Sequence, residues 1–497
     1  MSLTRTFQAR ADLEPKVMEV FAEFSKYFAH IKHSLFAAIA SGKKANSLKN
    51  EYVARYEITA RQFNAIKNSL EGKISSIKEL RAQQIKDKKE RIDSLKKKIQ
   101  RLTKSKKREQ IHQKKRRLAK LEQEWEKLKQ DHKEGIVRLC FGTKKLFRAQ
   151  FNLEANGYSS HEEWLMEWTD RRSKELYFLG SHEETSGNQS CTATLEDDDT
   201  ISLRIRLPNA LAAKHGKYLK IATIRFEYGK EELFTALKNC LNKSAPQAFT
   251  WRFVKDKKGW RFLVSFNIQK PSCISTSPGA IGLDINADHL ALTETDTFGN
   301  PIDRISIPCH LKNKDHHQAK ATIGDAVAQA VAWAETRTKS IVVEQLDFQK
   351  KKCALRENPS AKHAKMLSSF AYQSTLSHIR SRALRKGIAV NEVNPAFTSF
   401  LGRLKYARRY GLTIHESAAL VIARRFLGVS EKLFSGQWKV PTGKDAHVTF
   451  FVPARNQSEH VWSFWRKLSK KLQAALKAHF QAAKSRSSSF HMEACRT

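Results

Sequence analysis

The sequence has no apolar run of the eighteen or more residues that a membrane-spanning helix needs, and no secretory apolar core. No membrane partner is therefore expected, and a cytoplasmic, prokaryotic setting is, with the protein associated with the nucleoid in use. The opening MSLTRTFQAR is basic, as transit peptides are, yet it alternates like a strand and Asp12 and Glu14 follow at once, so it reads as structure. Its seven cysteines, at 140, 191, 240, 273, 309, 353 and 495, form no C-x-x-C pair, which argues for a reducing compartment and against a disulfide framework or zinc ribbon. Acidic residues are scarce: 50 Asp and Glu stand against 90 Lys and Arg, a formal net charge of +40. Such self-repulsion needs a polyanion to offset it, and nucleic acid is the obvious one. A length of 497 residues predicts two to four domains.

What is there begins with an alternating strand over residues 4–11. Val17, Val20, Phe21, Phe24, Tyr27, Phe28 and Ile31 then fall at helical spacing, and a second helix is predicted over 46–70. From 74 to 128, Ile85, Ile92, Leu95, Ile99 and Leu102, and then Leu118, Leu121, Trp125 and Leu128, repeat at heptad intervals on either side of a polar break. This predicts an antiparallel coiled-coil hairpin. Its basic tip (104–107) and second arm (114–117) point it toward nucleic acid. Strand-like alternation marks 200–207, 221–228, 250–254 and 260–268, a small antiparallel barrel or sheet whose outward residues are often Arg or Lys. Trp164 and Lys217 are among the residues of these front parts that could contact nucleic acid. Residues 271–278 read as a linker.

The organising stretch is AIGLDIN, residues 280–286. Asp284 interrupts an apolar strand, and an ionised carboxylate there is costly unless it is paired or binds a cation. Two further strand-like runs follow, at 289–295 and 303–308, the second after a Gly299-Asn300 turn. A helix comes next, and then KSIVVEQLDF, where Glu344 interrupts a second apolar run. Two carboxylates on buried strands, separated by hairpins and a helix, form the skeleton of a ribonuclease-H-like, two-metal phosphodiesterase site. After Glu344 a basic segment (349–365), a helix (366–386), a strand (388–393), the turn NPAFTS and a basic loop (402–409) lead to a helix at 413–427. On that helix His415, Ala418, Ala419 and Ile422 share a face, with small alanines that permit close approach to the strands. His415 is therefore aimed at the site, as a ligand better suited to Mn²⁺ than to Mg²⁺ or as a proton carrier. Glu416 is the competing carboxylate, but it lies about 100° around the helix and completes a T-x-x-E capping box with Thr413.

GLDIN around Asp284, IVVEQLDF around Glu344, the NPAFTS turn and the A-A-x-x-I helix together resemble the transposon-encoded TnpB proteins and the related type V CRISPR effectors. The resemblance is strong over 278–427 and rests on the order of parts before that. It implies an α/β multidomain fold: a first strand of a wedge domain (1–12), a helical recognition lobe with the hairpin (13–185), a β-barrel-like wedge domain (186–272), a ribonuclease-H-like RuvC nuclease domain (278–432), and a basic C-terminal segment (433–497) with a disordered tail from Ser485. It further implies an RNA-guided DNA endonuclease with Mg²⁺ or Mn²⁺, a guide RNA and target double-stranded DNA as partners, and a monomer favoured. Asp284 and Glu344 match the family's first Asp and its Glu, and His415 stands where the family has its last Asp. The four-Cys zinc ribbon that the family inserts before the last helix is missing from 400–412, so no structural zinc is expected. The alternatives are a guided DNA-binding protein or repressor that does not cut, and a junction resolvase or transposase that needs no RNA.

Overall fold

The chain divides into two units, Met1–Gln269 and Lys270–Thr497. The computed structural model describes residues 2–104, 108–242, 245–269, 273, 277–286, 288–311, 313–345, 362–442 and 446–493. The tip of the basic hairpin, most of the 271–278 linker and most of the basic segment after Glu344 lie outside the described residues.

In the first unit, β1 (Ser2–Arg10), β2 (Glu175–Phe178), β6 (Thr250–Asp256) and β7 (Gly259–Gln269) form an antiparallel sheet in the order β1-β7-β6-β2. A second sheet holds β3 (Cys191–Leu195), β4 (Ile201–Arg206) and β5 (Tyr218–Ile224), and the isolated bridge Arg10–Arg225 joins the two. The expected β-rich module is thus two sheets that also recruit β1 and, from inside the stretch expected to be helical, β2. Alternation explains the register: Ile201, Leu203 and Ile205 of β4 are buried while Arg204 between them is exposed. Helix α1 (Pro15–Ala40) lays Phe21 on Phe253 and Trp260, at ring separations of 5.7 and 5.2 Å, and Phe24 on Phe178 at 5.9 Å.

The helix expected at 46–70 is broken. Helix α2 (Lys49–Arg55) stops before Glu57, whose φ is 42°, and α3 (Ala60–Lys104) starts from a Thr59–Gln62 capping box. Helix α3 then runs through the heptad segment without a joint, and α4 (Arg108–Lys133) returns along it. Ile92, Leu95 and Leu121 are buried in the seam between them, and Lys96 pairs with Glu122 at 2.8 Å across it. Helices α5 (Lys144–Ala149) and α6 (His161–Arg172) follow. Trp164 of α6 is buried against Trp168, and its indole N–H bonds the Leu146 carbonyl at 2.8 Å, so Trp164 is core and not a nucleic-acid contact. Short helices α7 (Asn209–His215) and α8 (Lys230–Leu241) complete the unit.

The second unit is built on a five-stranded sheet of β8 (Ile281–Ile285), β9 (His289–Thr295), β10 (Pro301–Pro308), β11 (Ile341–Glu344) and β12 (Val390–Val393), in the order β10-β9-β8-β11-β12. The first three strands are antiparallel neighbours, and β8, β11 and β12 run parallel, the hairpin–hairpin–helix–strand order read from the sequence. One face packs Ile281, Leu283, Ile341 and Val343 against α9 (His316–Thr336) and α10 (Lys362–Arg385). The basic loop expected at 402–409 instead contains a turn of π-helix, Gly402–Tyr406, directly after α11 (Thr398–Leu401). Helix α12 (Ile414–Phe426) covers the sheet's other face. The segment expected to end in a disordered tail folds as a hairpin of β13 (Gly436–Pro441) and β14 (His447–Val452), then α13 (Val461–Glu493). Val440, Phe450 and Val452 bury one face of the hairpin, Phe464, Trp465, Leu468, Leu472 and Leu476 bury one stripe of the helix, and both join Leu420 and Val421 of α12. No glycine or proline follows residue 453 to stop that helix.

A buried charge cluster gives the first unit a pH signature. Glu175 of β2 accepts from Lys73 at 2.5 Å and from Arg252 at 2.7 Å, with Lys32 at 3.4 Å. Burial alone would raise its pKa, but these three cations outweigh burial and hold it at about 2. A depressed native pKa adds stability above the ordinary carboxylate value and loses it as pH falls toward the native one. Ionised Glu175 is expected to contribute about 3 kcal/mol relative to its protonated form at neutral pH, present above pH about 5 and lost by about 2, while burial holds the Lys32 amine down at about 8 and costs the cluster a comparable amount. Urea titrations across that window should show Glu175→Gln less stable by a similar amount at pH 7 and converging on the wild type in acid.

Candidate active site

Strands β8 and β11 pair in parallel with Leu283 opposite Val343, so Asp284 and Glu344 each come one residue further on, side by side at the carboxyl ends of neighbouring strands. Crevices at that end are where open α/β sheets bind ligands. Both acids point toward α12. Gly282, two residues before Asp284, faces the helix so closely that a Cβ there would lie 1.8 Å from the Ala419 carbonyl oxygen. Val342, two before Glu344, packs with Ile422 and Ala423 of the same helix. A Cβ on Gly402 would lie 2.6 Å from the Ser417 carbonyl on another side of α12. The small residues of α12 and these two glycines thus set its depth.

That depth brings His415, in the first turn of α12, to Asp284: Nδ1 lies 3.0 Å from Oδ2. The same oxygen accepts from the Asn286 amide at 3.1 Å. The ring of His289 stands edge-on to His415 at 4.8 Å, and Asp288 holds His289 at 2.7 Å. The hydrogen bond to Asp284 raises the His415 pKa above its ordinary value, against partial burial and with help from the charges of Asp284 and Asp288. Glu416 makes the capping box: its carboxylate accepts from the Thr413 N–H at 2.8 Å while its own N–H donates to the Thr413 hydroxyl at 3.2 Å. Thr293 of β9 fixes this turn by donating to the Glu416 carbonyl at 2.8 Å.

Glu344 has its own set. The Thr398 hydroxyl, in the turn named from the sequence, donates to Glu344 Oε1 at 2.5 Å, and Tyr372 of α10 donates to the Glu344 backbone carbonyl at 2.6 Å. Burial, and then the charges of Glu344 and Asp284, push the Tyr372 hydroxyl well above its ordinary pKa, so one phenol senses both carboxylates. The Arg425 guanidinium bonds the carbonyls of Asn394 and, at 2.9 Å, Ala396; burial lowers its pKa while the Glu344 charge opposes that. Asn286 and Thr398 lie inside motifs that the sequence singled out. Asp288 and His289 are visible only as the polar start of β9, while nothing in the pattern marks Tyr372 or Arg425.

The carboxylate oxygens of Asp284 and Glu344 suit a hard divalent ion, Mg²⁺ or Mn²⁺. Among the described residues no group of three or more His, Cys, Asp or Glu is placed to hold a metal together. The donor set therefore fits an ion that takes two carboxylates and keeps several of its waters, as Mg²⁺ commonly does.

No protein-family profile matches the chain, and no curated protein matches it in sequence. Among solved structures, T. thermophilus RuvC in complex with a Holliday junction substrate is similar at 15% identity over 31% of this chain and 99% of its own, with a TM-score of 0.23. A Cas12i variant bound to crRNA and double-stranded DNA is similar at 9% identity over 77% of this chain and 56% of its own, with a TM-score of 0.26. A Cas12i1 R-loop complex before target DNA cleavage gives 8%, 77%, 57% and 0.26. The chain spans a little over half the length of the Cas12i chains.

Two outcomes follow from the geometry. Gly282→Ala should cost about 1–3 kcal/mol in denaturant unfolding, at the upper end because the clash is with backbone. Proton-detected titration of the metal-free protein should place the His415 pKa above the free-imidazole value, and Asp284→Asn should return it toward that value. Because the native pKa is raised, the stability this pair contributes is present in full below the free-imidazole pKa and fades as pH rises through the native one.

Proposed function

We propose that the chain is an RNA-guided DNA endonuclease with a single RuvC-like site. The observation that supports this most is the side-by-side placement of Asp284 and Glu344 at the carboxyl ends of parallel strands, facing one helix. These two carboxylates would hold Mg²⁺ or Mn²⁺, with Thr398 orienting Glu344 and His415 and Asn286 orienting Asp284. The chemistry a divalent ion supplies when bound is a lowered water pKa and neutralisation of charge on the scissile phosphate and its leaving oxygen. In the reaction, water adds to phosphorus, the P–O3′ bond breaks and the leaving oxygen takes a proton. His415, bonded to Asp284, is the side chain of the site best able to carry that proton. The formal charge of +40 suits a protein that cradles a guide–target duplex by its backbone while base pairing reads the sequence.

A second reading is favoured by the same His415. An imidazolium on Asp284 Oδ2 competes with a cation for that oxygen, which suits a guided DNA-binding protein that does not cut. The test is purification of the protein expressed with its native locus, sequencing of bound RNA, and plasmid cleavage in Mg²⁺ and in Mn²⁺ by the wild type, Asp284→Ala, His415→Ala and His415→Asp. Guided cutting that Asp284→Ala abolishes is the expected result. His415→Ala should slow cutting about 10–100-fold, as loss of an orienting partner does. RNA-directed binding without cutting in either metal would select the second reading, and cutting restored by His415→Asp would show that the histidine alone is the block. Protein free of RNA that still cuts branched DNA would overturn guidance.

A further inference from the structure

The start of the C-terminal helix α13, which the catalytic reading leaves without a task, and the segment that follows α12 close a cleft at Arg425, whose guanidinium feels the Glu344 charge. The cleft encloses about 570 Å³, within the roughly 300–1,000 Å³ typical of small-ligand sites. Phe434, Trp462 and Trp465 supply its aromatic walls, and Arg425, Lys432 and Arg455 supply positive charge. Phe434 is 71% exposed and Trp462 37%. Large aromatic surface left open beside cations is not what core packing produces. Lys432 and Arg455 have no ion-pair partner among the described residues. Glu431, the carboxylate of the lining, is already satisfied by Lys405 at 2.6 Å, Arg424 at 2.7 Å and the Tyr406 hydroxyl at 2.6 Å, so it does not repel an anion.

Two connections tie the cleft to the carboxylates. Arg425 lines it and also clamps the Asn394 and Ala396 carbonyls of the turn that delivers Thr398 to Glu344. In the same turn Phe397 is held left-handed, with φ of 65°, and its ring stands edge-on to Trp462 at 6.2 Å and to Trp465 at 5.9 Å. Aromatic walls, cations held by backbone carbonyls (Arg455 by that of Glu459) or left free of any carboxylate among the described residues, and a proposed phosphodiester site one turn away are the elements of a single-strand grip: bases stack on the rings and phosphates sit on the cations.

We propose that this cleft is a nucleotide subsite that seats an unpaired base, with its 5′ or 3′ phosphate, of the single strand led to Asp284 and Glu344. The proposal rests on the nucleic-acid reading above and adds to it a place on the protein and a ligand class, an unstacked nucleotide of a single strand. An apolar peptide is the competing occupant, and it would have no use for Lys432 and Arg455.

The test uses the full chain carrying Asp284→Ala, so that the probe survives, and a fluorescent oligothymidylate of about a dozen nucleotides beside an equally long abasic strand. Binding is measured in enough salt to suppress contacts to phosphate alone. The expected result is a preference for the base-bearing strand and about tenfold weaker binding of it in Phe434→Ala, with the preference lost. Lys432→Glu should weaken both strands alike. Phe434 is exposed, so its replacement should leave the unfolding curve unchanged, and 5-iodouracil in the strand should crosslink to 429–434 or 461–465. Equal binding of the two strands by the parent protein, or unchanged binding by Phe434→Ala, overturns the subsite. Guidance and cutting are read separately in the plasmid assay: failure there with the Phe434 effect intact removes the nuclease reading and keeps the subsite, and the converse removes the subsite alone.

Discussion

The second unit depends on how close α12 comes to β8. The Ala419 carbonyl occupies the space a side chain would need at position 282, so only glycine lets the helix sit there. At that depth Ala418, Ala419, Ile422 and Ala423 are buried, and the helix start is pinned by Thr293 and by its own capping box. Two consequences follow from one contact. Asp284, two residues on, faces the first turn of α12 at hydrogen-bond range, and the next layer of packing, the C-terminal hairpin and helix, is given Leu420 and Val421 as its floor.

The chemistry turns on what meets Asp284 there. A carboxylate at that position would leave Asp284 and Glu344 in a ring of negative charge that a divalent ion alone could relieve. The imidazole of His415 changes the sign of the third member. Under the proposed function it gives Asp284 a hydrogen-bonding partner in place of a third carboxylate, and an ion would compete for an oxygen already bonded. Glu344 accepts from the Thr398 hydroxyl. The two carboxylates thus sit in different surroundings, Asp284 beside an imidazole and Glu344 beside a hydroxyl and the Arg425 charge.

Much of this was legible in the chain. Carboxylates inside apolar strands, a helix with paired alanines and a T-x-x-E start are local patterns, and each is found in the element where the pattern places it. Gly282 was in view as part of GLDIN, but its reason lies in a contact with a residue 137 positions away, and no local pattern carries that. Tyr372 and Arg425 were invisible for the same cause: each acts through a backbone carbonyl near the site, and carbonyls have no sequence signature. The 46–70 helix was misread because a four-residue break with a left-handed glutamate leaves apolar spacing almost intact. The C-terminal segment was read by its charge when its alternation and its Phe464–Leu476 stripe were the better guide.

Phe397 shows how that last segment can matter to the site. A non-glycine residue held left-handed costs of order 1–3 kcal/mol, and glycine there would relieve the backbone. Glycine would also remove the ring that packs on Trp462 and Trp465, and on Phe400, so docking of the C-terminal helix supplies part of what offsets the strain. The next residue, Thr398, is the one that bonds Glu344. Docking of the helix therefore fixes the turn, the turn fixes the hydroxyl, and the hydroxyl fixes the carboxylate. Loosening the aromatic contact would favour an unstrained turn and a longer Thr398–Glu344 contact, which makes the C-terminal helix part of what positions Glu344 without placing any atom of its own on the carboxylates.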